Sequence, residues 1–241
     1  MKMLGRSFPL FFRRRLATWT AINGGLNSWM RSKSLILPGC LVLSEESFLA
    51  RLEFARATTQ SIHVDVVDND FVKGHTLPIE EWPELDLGYS EAHLMVRSPQ
   101  SCFSALKAKK VTRAIVHVES EFDIESLERD ARRLDILLGF AVNPDTDLAT
   151  SKPLLRVSNY IQIMGVTPGK TGQPQLPQTV SAVSYFRAFD HHSIISVDGG
   201  VNASNVAKLK SAGANYFIAS SGIYDNHDWQ ESYRELLEAV K

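Results

Sequence analysis

Residues 61–68 read Ser61-Ile62-His63-Val64-Asp65-Val66-Val67-Asp68. β-Branched residues dominate this run, and in a strand successive side chains point to opposite faces. Ile62, Val64 and Val66 then form one wholly apolar face, suited to packing beneath helices. His63, Asp65 and Val67 share the other face. A carboxylate turned into a protein interior is costly unless it is paired or bound to a cation. The strand therefore predicts both a layer of helices on one side and polar chemistry on the other.

Working outward, short apolar runs of the same kind recur at residues 35–42, 92–96, 113–118, 136–142, 160–166, 193–197 and 215–219. Amphipathic helical patterns alternate with them at 45–57, 100–109, 124–134, 178–189 and 202–212, with a closing one at 229–240. The connection at 146–158 carries the weakest helical pattern. Strands joined by crossover helices run parallel, which gives an open doubly wound sheet or a barrel. Eight repeats ending in a helix favour the (β/α)₈ TIM barrel, and 241 residues is close to the ~250 such a barrel uses. No GxGxxG follows the first strand, which weakens a dinucleotide-binding alternative. The long, Pro- and acid-rich insertion at 68–91 is expected to form a loop over the barrel mouth.

Composition narrows the function classes. Hydrophobic residues make up 44% and charged residues 22%, ordinary for a water-exposed globular chain. No apolar run reaches the ~18 residues that would suggest a membrane span. A net charge of -1 argues against a nucleic-acid partner. Cys40 and Cys102 show no CxxC spacing, so a reducing, cytoplasmic setting is expected. Residues 1–33 form a basic extension: Lys2, Arg6, Arg13, Arg14, Arg15, Arg31 and Lys33 precede the first acid of the chain. That composition fits either an unstructured extension or an organelle transit peptide. The domain expected to fold is 34–241.

Barrel chemistry sits at the carboxyl ends of the strands. The second strand presents His63 and Asp65 there, the third His93, and the seventh Asp198 in Ser196-Val197-Asp198-Gly199-Gly200. A His₂Asp₂ set of mixed imidazole and carboxylate donors suits one divalent ion: zinc, iron, manganese or cobalt. His117 and Glu119 form a further inward pair, read as supporting the ligands, facing substrate, or filling a polar role with no ligand. Three Gly- or Ser-rich turns follow the last three strands: Gly169 with Gly172, Gly199-Gly200, and Ser220-Ser221-Gly222. Glycine lets backbone N–H groups approach an anion, and such barrels commonly hold phosphate at this side of the mouth.

On these residues the chain resembles the ribulose-phosphate 3-epimerase family. The motifs are His63-Val64-Asp65-Val66-Val67-Asp68 with Phe71-Val72, His93-Leu94-Met95-Val96, Asn143-Pro144, Met164, Pro168-Gly169 with Gly172-Gln173, and Val197-Asp198-Gly199-Gly200-Val201. The resemblance implies metal-dependent epimerisation at C3 of a ketose phosphate, D-ribulose 5-phosphate to D-xylulose 5-phosphate, in the pentose phosphate pathway. It implies that His63, Asp65, His93 and Asp198 hold the metal and that Asp65 and Asp198 act as acid and base. His93, Met95 and Met164 would meet the sugar, with Gly169, Gly172, Gly199, Gly200, Ser220 and Ser221 around its phosphate. It also implies a homo-oligomer. The chain departs from the family at Gly39, Val67, Asn69, Lys73-Gly74, Lys170-Thr171 and Ser220. Glycine at 39 and 74 would widen the pocket for a hexulose phosphate such as allulose 6-phosphate. The same changes would also suit a non-catalytic phosphometabolite-binding barrel.

Overall fold

The computed structural model describes residues 34–169 and 172–241; the basic extension at 1–33 and Lys170-Thr171 lie outside the described residues. Eight parallel strands close into a barrel in chain order. They are β1 (Leu35–Cys40), β2 (Ser61–Val67), β3 (Tyr89–Met95), β4 (Arg113–His117), β5 (Leu137–Val142), β6 (Tyr160–Met164), β7 (Ile194–Asp198) and β8 (Tyr216–Ala219). The helices are α1 (Glu45–Thr58), α2 (Phe103–Ala108), α3 (Ile124–Arg133), α4 (Leu148–Ser151), α5 (Thr179–Phe189), α6 (Val206–Ala212), α7 (Ser221–Tyr224) and α8 (Trp229–Ala239). The expected eight-stranded barrel is the fold.

Local sequence explains where the helices start. The Ser44 side chain accepts from the Ser47 N–H ahead of α1, Asp123 from Ser126 ahead of α3, and Asp228 from Glu231 ahead of α8. Each satisfies an amide that has no partner within its helix. The connection at 146–158 is the one with the poor helical pattern. It forms only the single turn α4 followed by a 3₁₀ segment, Lys152–Arg156, with Pro153 in its first turn.

Strand periodicity divides the interior in two. Ile62, Val64, Val66, Ala92, Leu94, Ala114, Val116, Ile161, Ile163, Ile195 and Val197 join Phe48, Leu52, Leu127 and Val183 in the layer between sheet and helices. The other parity points into the barrel and is far more polar: His63, Glu91, His93, Arg113, His117, Gln162 and Ser196 are all buried there.

The insertion differs from expectation. Its last residues, Tyr89–Glu91, belong to β3, which starts three residues earlier than the apolar run suggests. The remainder only begins at the mouth. From Leu77 it descends along the outside of the barrel, burying Leu77, Ile79, Trp82 and Leu85 and stacking Trp82 on Phe48 at 5.4 Å. It contains one 3₁₀ turn, Ile79–Glu81, and takes the place a helix would fill between β2 and β3. Pro78 and Pro83 remove two amide donors, so a continuous helix is disfavoured there.

Candidate active site

Register brings the predicted polar residues together. β2 and β3 pair with Asp65 opposite His93, and β6 and β7 pair with Met164 opposite Asp198. His63, Asp65, His93 and Asp198 each offer one donor atom, and the four atoms lie within 4.8 Å of one another. Asp65 Oδ1 is 2.9 Å from His93 Nδ1 and 3.5 Å from His63 Nε2; Asp198 Oδ2 is 3.2 and 3.6 Å from the same two nitrogens. Four donors in a tetrahedron at ~2.0–2.1 Å from an ion would stand about 3.3 Å apart. The four His–Asp spacings bracket that value.

The set also fits a cation by what it lacks. His63 Nε2 is buried and has no hydrogen-bond partner, while its Nδ1 lies 2.7 Å from Glu91 Oε1. The carboxyl accepts the Nδ1 hydrogen, so Nε2 is the nitrogen turned toward Asp65 and Asp198, and it can bind a cation once its proton leaves. Metal-ligating histidines are commonly held by a carboxylate in this way.

Electrostatics matches. Burial alone would raise the Asp198 carboxyl, but the imidazoles of His63 and His93 outweigh it and hold the group well below the usual carboxylate range. Asp65 is lowered for the same reason: burial raises it, and His63 and His93 overcome that. Burial would lower both histidines; the surrounding carboxylates reverse this and raise them, Asp198, Asp65 and Glu91 around His63 and Asp198 and Asp65 around His93. Two acids and two bases packed this closely stabilise one another's charged forms. A divalent cation would take the place of the imidazole protons.

Above this cluster opens a cavity. Its wall includes Asp65, Met95, Met164, Gly169, Gly172, Asp198, Gly199, Gly200, Ser220 and Ser221. His63 and His93 are fully buried and do not line it. The β6–α5 and β7–α6 turns interlock beside it: Gly165 N–H donates to Asp198 O at 2.6 Å, and Gln175 Nε2 to Gly199 O at 3.4 Å. A Cβ at Gly165 would sit 2.4 Å from Gly199 O, and one at Gly199 2.4 Å from Val166 Cγ2. Gly199 moreover has φ +108°, a backbone conformation that disfavours any side chain.

Residues 42–224 match the sequence profile of the Ribulose-phosphate 3 epimerase family. The chain belongs to that family.

Curated relatives named ribulose-phosphate 3-epimerase include one from Encephalitozoon cuniculi, 28% identical over 189 residues (77% of this chain, 85% of the relative), and one from Aquifex aeolicus, 26% identical over 188 residues (75% and 85%). Among solved structures, 3-hexulose-6-phosphate synthase from Salmonella typhimurium superposes with a TM-score of 0.65 at 13% identity, covering 86% of this chain and 98% of that one. The tryptophan synthase α-subunit from Pyrococcus furiosus gives 0.63 at 14% identity, covering 85% and 98%. These likenesses concern the barrel.

In this epimerase-family enzyme, Gly39 and Gly74 stand in different surroundings. A Cβ at Gly39 would meet Ile218 and Ser220 side chains at 3.1 Å, and Gly39 is not part of the cavity wall. Gly74 has open space around it and lies outside that wall too. Cys40 and Cys102 are free thiols, and burial pushes the Cys40 thiol up to about 12. No helix among the described residues is long and apolar enough to cross a membrane.

Two residues escaped the sequence reading. Glu91 is buried beneath His63, where the hydroxyls of Tyr89 and Tyr160 also donate to it at 2.5 and 2.9 Å. Arg113 in turn donates to Tyr89 Oη at 3.0 Å. Gln162 Nε2 donates to Asp198 Oδ2 at 3.2 Å. Glu91 stands two residues before His93 and Gln162 two before Met164, so strand alternation alone would have placed both inside the barrel.

Proposed function

We propose that the enzyme interconverts D-ribulose 5-phosphate and D-xylulose 5-phosphate, using one divalent metal ion held by His63, Asp65, His93 and Asp198. The observation that carries this reading is the convergence of two carboxylates and two imidazoles from β2, β3 and β7 on one point beneath a cavity with a glycine-rich edge.

Inverting C3 requires a proton to leave one face of the carbon and another to arrive on the opposite face. Asp65 and Asp198 reach the cavity from different strands and are the two groups able to exchange that proton. A divalent ion at the donor cluster would supply Lewis-acid stabilisation of the oxygen charge that develops beside C3. Met95 and Met164 give the cavity an apolar wall that limits water around the reacting carbon. The turns bearing Gly169, Gly172, Gly199, Gly200, Ser220 and Ser221 would anchor the phosphate, so that binding energy remote from C3 aligns it. Gln162 holds the Asp198 carboxylate from the side.

The test couples metal analysis to solvent deuterium uptake at C3 of D-ribulose 5-phosphate. Stoichiometric metal, exchange at C3 and formation of xylulose 5-phosphate are expected, with weaker turnover of a hexulose phosphate. A rigorously metal-free preparation with full activity, or a purified metal-loaded enzyme that exchanges no C3 proton, refutes the proposal.

A further inference from the structure

Behind His93, away from the cavity, lies a second imidazole. His93 Nε2 is 2.8 Å from His117 Nε2, with the rings stacked at 4.9 Å and 28°. Both side chains are completely buried, so water does not take part. Two ring nitrogens at that distance share a single hydrogen: one must carry it and the other must present a lone pair.

The far side of His117 decides which. Its Nδ1 lies 3.0 Å from Glu119 Oε2, and a carboxylate can only accept. Glu119 is itself fixed, its Oε1 receiving the Asn143 N–H at 3.0 Å and the Thr146 hydroxyl. The hydrogen on His117 is therefore on Nδ1, and its Nε2 is the acceptor. His93 must donate from Nε2. That leaves His93 Nδ1, 2.9 and 3.2 Å from the Asp65 and Asp198 carboxylates, as the nitrogen turned to the donor cluster. Phe71 packs on His117 at 4.7 Å and closes the remaining side.

We propose that His117 and Glu119 are positioning residues: a hydrogen-bond chain running from the β4–α3 and β5–α4 connections through His117 fixes the ring orientation and tautomer of His93, so that His93 binds the cation through Nδ1 while His63 binds it through Nε2. This rests on the metal reading above. It gives His117 the supporting role, since His117 lines neither cavity, while Glu119 also borders an adjoining cavity with Phe71, Asn143 and Thr146. An acceptor at this spot matters because the unsupported ring is free to rotate about χ2 and offer a different nitrogen. Outer partners of this kind typically change metal affinity by ~10–100-fold.

The experiment uses the full chain and Zn²⁺ or Co²⁺ in competition with a chromogenic chelator. His117→Leu is expected to weaken metal binding by ~10–100-fold and to shift the Co²⁺ absorption spectrum. His117→Gln, which can place an amide oxygen where Nε2 stood, is expected to recover most of the affinity. Glu119→Leu frees His117 to carry its hydrogen on Nε2, facing the His93 N–H, and is expected to weaken binding like His117→Leu. Independently of metal, ¹H–¹⁵N spectra of the ring nitrogens should show a slowly exchanging His93 Nε2–H and the Nδ1–H form of His117. His117 found as the Nε2–H tautomer overturns the proposal, as does a folded His117→Leu chain that binds Zn²⁺ within twofold of wild type. A wild-type chain that takes up no divalent ion refutes the metal reading instead, while the ring-nitrogen spectrum still judges the hydrogen-bond chain.

Discussion

Removing the Glu91 carboxyl should cost the barrel more than any single change at its surface. Glu91 is completely buried and accepts from His63 Nδ1 at 2.7 Å, Tyr89 Oη at 2.5 Å and Tyr160 Oη at 2.9 Å. Glu91→Leu keeps most of the volume but leaves three buried donors facing a methyl group, each costing about 1–3 kcal/mol. It also leaves Arg113, 1% exposed and linked to Glu91 through Tyr89, without its nearby acid. The tyrosine hydroxyls can rotate toward backbone carbonyls, which returns part of the loss. The expected net destabilisation is about 4–6 kcal/mol, a large share of the ~5–15 kcal/mol that holds a typical domain. Glu91→Gln keeps an acceptor for His63 and should lose about half as much. Urea unfolding of the metal-free protein, followed by both circular dichroism and tryptophan fluorescence, measures this. Zn²⁺ affinity should fall with stability, because His63 loses the partner that fixes its tautomer. A Glu91→Leu protein within about 1 kcal/mol of wild type and with unchanged Zn²⁺ affinity would refute the reasoning.

Other consequences can be checked directly. Asp198→Asn should leave the fold intact and lower turnover by about 10³-fold or more, since proton transfer by a positioned group contributes ~10²–10⁴-fold; near wild-type rates remove Asp198 from the chemistry. Gly199→Ala places a Cβ 2.4 Å from Val166 at φ +108°, and should raise KM for the phosphorylated substrate and weaken inhibition by inorganic phosphate; unchanged values mean the anion binds elsewhere. His63 and His93 are raised above the ordinary histidine value in the metal-free protein, so their protons compete with the cation. Metal affinity should therefore climb as pH rises above ~6.5, with protons released on binding; titration calorimetry in buffers of different ionisation enthalpy that finds no release at pH 7 contradicts this. By the same shifts, the stability these two groups give the metal-free protein is complete below ~6.5 and is lost as pH rises through their raised values, which thermal melts across that range will show.

Much of the architecture was legible because a parallel barrel writes two periodicities into its sequence. Alternation in residues 61–67 assigned His63 and Asp65 to one face and Ile62, Val64 and Val66 to the other, and the structure keeps that division on every strand discussed. Boundaries were less legible. Tyr89, Ser90 and Glu91 read as the end of an acidic loop because two are polar, yet Glu91 is tolerated in the barrel by Tyr89 on its own strand and by Tyr160, His63 and Arg113 on three others. The strap from Leu77 to Leu85 was misplaced for a related reason. Nothing local says that Trp82 will find Phe48, so only the prolines, and not the docking site, were visible. The donor cluster was legible as residue types, whereas its second layer depended on contacts between strands far apart in the chain.

The interlocked turns at Gly165 and Gly199 have a bearing on chain length. Gly165, at the start of the turn that bears Gly169 and Gly172, is hydrogen-bonded to the Asp198 carbonyl, which ties that turn's root to the strand end carrying the carboxylate. If that turn anchors the phosphate, the extra carbon of a longer ketose phosphate would have to buckle or shift the carbon being inverted away from Asp198. Discrimination by size would then show itself in turnover more than in binding.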